Sequence, residues 1–250
     1  MEVVLLGTGT LRPQPDTASA GVVFVEGESI LPVDLGRNTL SRMVECGIDP
    51  LGLGEFLVTH LHPDHTAELV SLLFAMKYGR DDQVPVRLVG PPGLQRLVER
   101  LVDAWEWLAP SYDLAVEDRE PGAFTAAGFE VEAIQMEHGN TTDYGYRVRS
   151  PRTGRLAAFT GDTGPCDALV ELARGVDVLV SECASTDADA TSFHLAPTPL
   201  GQAAAEAGVR HLVITHLYPT TDPEVVLEGV AAHFEGRITI GSDRMRIPLT

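Results

Sequence analysis

The sequence predicts an α/β protein built as a layered sandwich of sheets and helices, rather than as one doubly wound parallel sheet. Three features lead there. The first apolar runs follow one another directly, as hairpin strands do. Later runs alternate with helical stretches. The strongly polar residues Asp34, His60, Asp162, Glu182 and His216 collect where apolar runs stop, and loops at strand ends are where α/β proteins keep their chemistry.

EVVLLG (2–7) and GVVFVEG (21–27) read as short strands bounded by glycine, and SILPVDLG (29–36) as another that ends on an aspartate and a glycine. RNTLSRMVECG (37–47) has helical spacing and a glycine stop. EFLVTH (55–60) is an apolar run that ends at a histidine cluster. Apolar residues at 69, 70, 72, 73, 74 and 76 predict a helix over 66–78. VPVRLVGPPG (84–93) is a strand and a turn, and 94–108 is a long amphipathic stretch. The second half repeats the grammar. Strands are expected over 128–139, 143–150, 155–164, 176–183, 211–216 and 237–243, with helices over 168–175, 200–209 and 223–236. GTGT (7–10) lacks a following G-K-[ST] and reads as a tight turn rather than a phosphate loop. No linker, low-complexity tract or fixed-period repeat divides the chain, so residues 1–250 read as one domain.

Composition narrows the function. Apolar residues make up 44% and charged residues 22%, as in ordinary globular proteins. No apolar run approaches the roughly 20 residues that span a bilayer, and the start, MEVVLLGTGT, has no basic leader or cleavage site. A cytoplasmic protein without membrane contact is expected. The net charge of −18 excludes general electrostatic capture of nucleic acid, which needs clustered cations. Cys46, Cys166 and Cys183 are odd in number and widely spaced, with no C-x-x-C, so reduced thiols are expected.

The stretch THLHPDH (59–65) puts three of the chain's eight histidines beside an aspartate. In an extended segment His60 and His62 point to one side and aim at one point. Pro63 forces a turn, so Asp64 and His65 serve a second point nearby. Imidazole with carboxylate suits zinc, and also iron or manganese. His138, Asp162 and His216 share one setting, a strand end followed by a loop, and complete two metal shells.

This order of motifs, H-x-H-x-D-H, a lone histidine, an aspartate in a G-D-T turn and a final histidine, resembles the metallo-β-lactamase fold superfamily over essentially the whole chain. V-D-L-G (33–36) matches that superfamily's first motif. The resemblance implies a four-layer αββα sandwich and two divalent metal ions, zinc first, with manganese or iron as alternatives. It implies that His60, His62 and His138 hold one metal, that Asp64, His65 and His216 hold the other, and that Asp162 bridges them. Asp34 would buttress the metal loop. Metals roughly 3.5–4 Å apart share a hydroxide near pH 7, the implied nucleophile, which Asp64 would also orient.

Residues 179–216 resemble the ribonuclease Z-like branch, in which a glutamate after a strand and a histidine before the next helix donate a proton to the leaving group. Here these are Glu182 and His194, the latter 22 residues before His216. A phosphodiester's leaving alkoxide needs that proton. The sequence departs from ribonuclease Z proper in one respect. Those enzymes insert a long arm that grips tRNA between the lone histidine and the bridging aspartate, and His138 and Asp162 are only 24 residues apart. The expected substrate is therefore a small or nucleotide-derived phosphodiester rather than tRNA, and the protein a phosphodiesterase. Members of the family are often homodimers, so a homodimer is expected. Arg147, Arg149, Arg152 and Arg155 in the short connection read as a solvated face. Tyr218 either reaches substrate or packs. Phe74, Met76 and Tyr78, with Trp105 and Trp107, either wall a pocket or pack, and at helical spacing core packing is expected for most of them. Rival readings on the same dimetal core are a lactonase, a phosphotriesterase, an arylsulfatase or a β-lactamase. An iron redox protein ranks lower, because the di-iron relatives usually carry a carboxylate where His62 stands. The complete ligand set argues against a non-catalytic binding protein.

Overall fold

Strand β1 (Glu2–Gly7) shows how the layers arise. Successive side chains of a strand point to opposite faces. Val3 and Leu5 enter one core and Val4 and Leu6 another. The strand is buried on both sides, which is why its sequence is continuously apolar. In this computed structural model, which describes residues 1–80 and 84–249, strands sort into two seven-stranded sheets. One runs β14 (Arg246–Pro248), β1, β2 (Gly21–Glu26), β3 (Ser29–Val33), β4 (Glu55–Leu57), β5 (Val86–Gly90), β6 (Leu114–Asp118). The other runs β13 (Arg237–Ile240), β12 (His211–Thr215), β11 (Val178–Glu182), β10 (Leu156–Phe159), β9 (Thr141–Arg149), β8 (Phe129–His138), β7 (Gly122–Ala126). Each sheet has a hairpin half and a parallel half. β14, β1, β2 and β3 pair antiparallel, and β3 to β6 parallel. β7 to β10 pair antiparallel, and β10 to β13 parallel.

The sheets pack face to face around Phe24, Leu31, Tyr144, Tyr146 and Val180. Helices α1 (Thr39–Glu45), α3 (Leu69–Gly79) and α4 (Leu94–Ala104) cover the outside of the first sheet through Met43, Leu72 and Leu94. Helices α5 (Asp167–Ala173), α6 (Pro197–Ala207) and α7 (Pro223–Ala231) cover the second through Leu172, Leu200 and Val230. The result is the expected four-layer αββα sandwich, with three apolar cores between its layers. No helix among the described residues is long and apolar enough to cross a membrane.

Several expectations need correction. The helix expected over 66–78 is present as α3 but starts three residues later, because Thr66 closes a separate short helix, α2 (Pro63–Thr66), and the Glu68 N–H donates to Leu35 C=O. Trp105 turns extended and stops α4, leaving a single 3-10 turn, Glu106–Leu108. β6, β7 and β14 were not expected. Of the five aromatic and methionine side chains read mostly as core, only Met76 is buried, while Phe74, Tyr78, Trp105 and Trp107 are exposed around a surface groove. GTGT is less a tight turn than a continuation of β1. Gly9 bridges to Ser19, and a Cβ at Gly7 would stand 1.9 Å from the Ser19 carbonyl oxygen.

The loop that follows is fixed by Asp243. Its carboxylate accepts from Thr8 N–H and Oγ1, from Ala18 N–H and from the Arg42 guanidinium. Asp243→Ala would strand these nearly buried donors and is expected to cost about 3 kcal/mol. For a chain of this length that lowers Tm by about 6–12 °C, which a melting curve measures. A shift within error would mean that the loop is held by its other contacts.

Candidate metal centre

Side chains that could bind a metal meet at one end of the sandwich, where strands from both sheets finish. Asp34 follows β3, His60 follows β4, His138 ends β8, Asp162 follows β10, Glu182 ends β11 and His216 follows β12. His62 is extended (φ −64°, ψ 147°), and Pro63 opens α2 at the first helical position, where its missing N–H costs nothing. Asp64 and His65 are thereby carried round on a helical turn.

Donor atoms of His60, His62 and His138 lie within 4.8 Å of one another, and so do those of Asp64, His65 and His216. Asp162 stands between the two groups with its oxygens divided. Oδ1 lies 3.3 Å from His65 Nε2 and 3.6 Å from His216 Nε2, while Oδ2 faces His138 Nε2 at 4.0 Å. Asp64 Oδ2 is 3.6 Å from His216 Nε2. Behind these groups Asp34 is fully buried. Its Oδ1 accepts from Thr59 N–H, and its Oδ2 accepts from Thr59 Oγ1 at 2.8 Å and from His65 Nδ1 at 2.7 Å. Both Asp34 and His216 take left-handed backbone angles (φ 66° and 58°), which L side chains adopt only when their surroundings require it.

A divalent cation fits this donor set. His60 Nε2, His65 Nε2 and His216 Nε2 are buried without an aligned hydrogen bond among the described residues, a costly arrangement unless something accepts their lone pairs. Burial, with His65 next to it, lowers the His60 imidazole to about 3, and burial with His60 and His138 lowers His62, so both present neutral rings. Burial would raise Asp64, but His216 and His65 prevail and hold it down at about 2. Burial opposes the charge on Asp162 too, and His216 and His65 outweigh it. Burial would lower the His65 imidazole, but Asp162 and Asp34 raise it well above its usual range, so an incoming cation would displace a proton there. Neutral imidazoles with ionised carboxylates are what zinc-like ions bind.

Next to the group stands a second pair. Glu182, fully buried, accepts from Thr163 N–H and Leu195 N–H and holds His194 Nδ1 at 2.8 Å. Burial alone would lower the His194 imidazole, but Glu182 raises it to about 8. Tyr218 OH lies 3.3 Å from His194 Nε2, so Tyr218 belongs to the site. The loop that brings His194 in is set by close backbone approach. A Cβ at Gly164 would stand 2.1 Å from the Ser192 carbonyl oxygen, and the Phe193 carbonyl lies 2.7 Å from His138 Nδ1.

His62, Asp64, His138, Asp162, His194 and His216 line a cleft of about 490 Å³ together with Leu11, Asn140, Thr191, Phe193 and Tyr218, with no lysine or arginine among its described lining. A larger hollow of about 620 Å³, lined by Phe124, Arg147 and Arg149, lies along β7 to β10, and none of the clustered histidines reaches it. The four arginines of the short connection stay out of the cleft. Arg147 pairs with Glu132, Arg149 with Glu130 and Arg155 with Asp177. The connection itself is only β9, a turn and β10.

Sequence reasoning missed Asp143. This aspartate on β9 is fully buried, with Oδ2 2.9 Å from His60 Nδ1, and burial holds its carboxyl well above the usual range. It missed Thr59 as well. A single aspartate in DYGYRV carries no local signal. The bonds from Tyr144 N–H to Thr59 C=O and from Tyr146 OH to Val58 C=O, made only in the folded chain, bring the two segments together.

Residues 51–217 match the family described as "Beta-lactamase superfamily domain". The ribonuclease Z of Mycobacterium bovis (strain BCG / Pasteur 1173P2) is 32% identical over 275 aligned positions, covering 99% of this chain and 98% of that protein. Among solved structures, the metallo-β-lactamase fold protein YhfI of Bacillus subtilis superposes with a TM-score of 0.88 at 22% identity, covering 98% of both chains. Human tRNase Z, short form, superposes with a TM-score of 0.82 at 22% identity, covering 100% of both chains.

Proposed function

Because the chain belongs to the metallo-β-lactamase superfamily of metal-dependent hydrolases, in its ribonuclease Z-like branch, we propose that it is a dinuclear metal-dependent phosphodiesterase acting on small or nucleotide-derived phosphodiesters. The observation that carries this reading is His194 in the wall of the same cleft as the clustered ligands, with Glu182 buried behind it at 2.8 Å. A lactonase or phosphotriesterase on the same core has no need of a carboxylate-held imidazole there.

In this reading His60, His62 and His138 hold one cation, Asp64, His65 and His216 hold the other, and Asp162 is shared. Bound there, the cations supply Lewis acidity and lower the pKa of water towards neutrality. The protein does the rest. Asp64, ionised and at the cleft floor, accepts a hydrogen bond from the attacking water and aims it. His194 donates its Nε2 proton to the departing oxygen, and Glu182 stabilises the imidazolium and fixes which nitrogen faces the cleft. The apolar lining of Leu11, Phe193 and Tyr218 excludes water and offers surface to a base or another flat group.

A second reading, a ribonuclease, is favoured by the identity with ribonuclease Z along nearly the whole chain. Three observations weigh towards the small substrate. The net charge is −18, the described lining of the cleft has no lysine or arginine, and the alignment of 275 positions exceeds this chain's 250 residues, so at least 25 positions of the relative have no counterpart here.

The test is turnover of bis(p-nitrophenyl) phosphate by protein of measured metal content. Turnover at about two metals per chain, lost on chelation and restored by zinc, is expected. Each cation present at about a thousand times its Kd adds about 4 kcal/mol, so chelation should also lower Tm by about 10 °C or more. Fully metallated protein that leaves the diester intact and cleaves a lactone, a phosphotriester or a sulfate ester would overturn the phosphodiesterase reading.

A further inference from the structure

Asp143 is fully buried, and neither carboxylate oxygen has an aligned hydrogen bond among the described residues. A buried carboxylate so poorly satisfied is expensive and needs a reason. Its position is not accidental. Tyr144 N–H donates to Thr59 C=O at 3.0 Å and Tyr146 OH to Val58 C=O at 2.8 Å, pinning β9 against the segment that carries His60. On the other side, a Cβ at Gly161 would stand 2.6 Å from Asp143 Oδ1. The carboxylate is therefore wedged between the His60 ring and the turn that presents Asp162.

Donor accounting fixes what His60 offers it. The single Thr59 hydroxyl proton goes to Asp34 Oδ2 at 2.8 Å, so at its 3.1 Å contact with His60 Nδ1 the Thr59 oxygen can only accept. With the Asp143 carboxyl ionised, neither neighbour can donate to Nδ1, so Nδ1 carries the ring proton, 2.9 Å from Asp143 Oδ2. That leaves the Nε2 lone pair free, on the side where His62 and His138 converge. A cation at Nε2 makes the Nδ1 proton more acidic, and a carboxylate behind it strengthens the ligand. It also supplies the positive charge that this buried carboxylate lacks.

We propose that Asp143 is a positioning residue for the His60, His62 and His138 group, the counterpart of Asp34 behind His65. The inference rests on the reading that these histidines hold a divalent cation. The experiment is a stepwise zinc titration of chelated, full-length protein against a chromophoric chelator, with Asp143→Asn, His60→Ala and wild type in parallel. For Asp143→Asn, the zinc step that His60→Ala abolishes should weaken about 10–100-fold, while the other step holds. The chelated Asp143→Asn protein should melt no lower than chelated wild type, because an amide of the same shape replaces a buried, poorly satisfied carboxyl group. A merely structural role predicts the opposite: both steps weaken and the chelated protein melts lower. That result, or two unchanged zinc steps, would overturn the proposal. Wild type that takes up no zinc would overturn the metal reading itself.

Discussion

Asp64→Ala is expected to lower kcat/KM for bis(p-nitrophenyl) phosphate by about 10³-fold or more, with the fold intact. Asp64 is placed to act twice, as a donor in the group with His65 and His216 and as the carboxylate facing the water. Its ionised form is held in place, with a pKa of about 2, so nothing in the working pH range neutralises it. The substitution opens no apolar core, since the side chain faces the cleft at the start of α2, but it removes favourable contacts with His216 and His65 and weakens cation binding, so a modest loss of Tm is expected with the fold retained. Assaying the variant in excess zinc separates the two roles. If saturating zinc restores wild-type rate, Asp64 only holds metal. If metal content is restored and the rate is not, the carboxylate also orients the water. A variant with wild-type kcat/KM at unchanged metal content would remove Asp64 from the chemistry.

How much of this was legible in the sequence depends on how local each signal is. Three histidines and an aspartate within THLHPDH need no structure to suggest a metal, and their alternation already places His60 and His62 together. His138, Asp162 and His216 are each ambiguous alone and become readable only through their order along the chain. The structure brings all of them to one end of the sandwich because they follow or end strands that point the same way. Asp143 and Thr59 could not be read, since their roles depend on β9 crossing to the first sheet's strand end. Nor could the Phe193 carbonyl beside His138, because a main-chain atom leaves no mark in composition. In the fold, strands buried on both faces were plain as apolar runs. β6 and β7 were not, because LAVED and GAFTA lie half exposed at the sheet edges, among prolines, glycines and acidic residues. The exposed Phe74, Tyr78, Trp105 and Trp107 misled for the opposite reason: helical spacing of apolar residues says that a face exists, not that something covers it.

His194→Ala should reveal its role through the leaving group. A p-nitrophenolate departs as a stable anion and needs no proton, so the variant should lose less than about 10-fold on the chromogenic diester. An alkyl or nucleoside alkoxide is far more basic, and there the loss should reach about 10²–10⁴-fold. Glu182→Gln should fall between, and its pH profile carries the sharper information. Glu182 raises the His194 pKa, so removing the carboxylate's charge lowers it. A general acid works only while protonated. Activity on poor leaving groups should therefore be lost at lower pH in Glu182→Gln than in wild type, while the chromogenic substrate shows no such displacement. Tyr218→Phe tests the other end of the ring. Its hydroxyl at 3.3 Å helps to hold Nε2 towards the cleft, so a loss of about 10-fold confined to poor leaving groups is expected. If His194→Ala retained full activity on an alkyl diester, the proton would have to come from elsewhere. The Glu182–His194 pair would then be a structural contact at the cleft wall, and with it would go the strongest argument for a phosphodiester over a lactone.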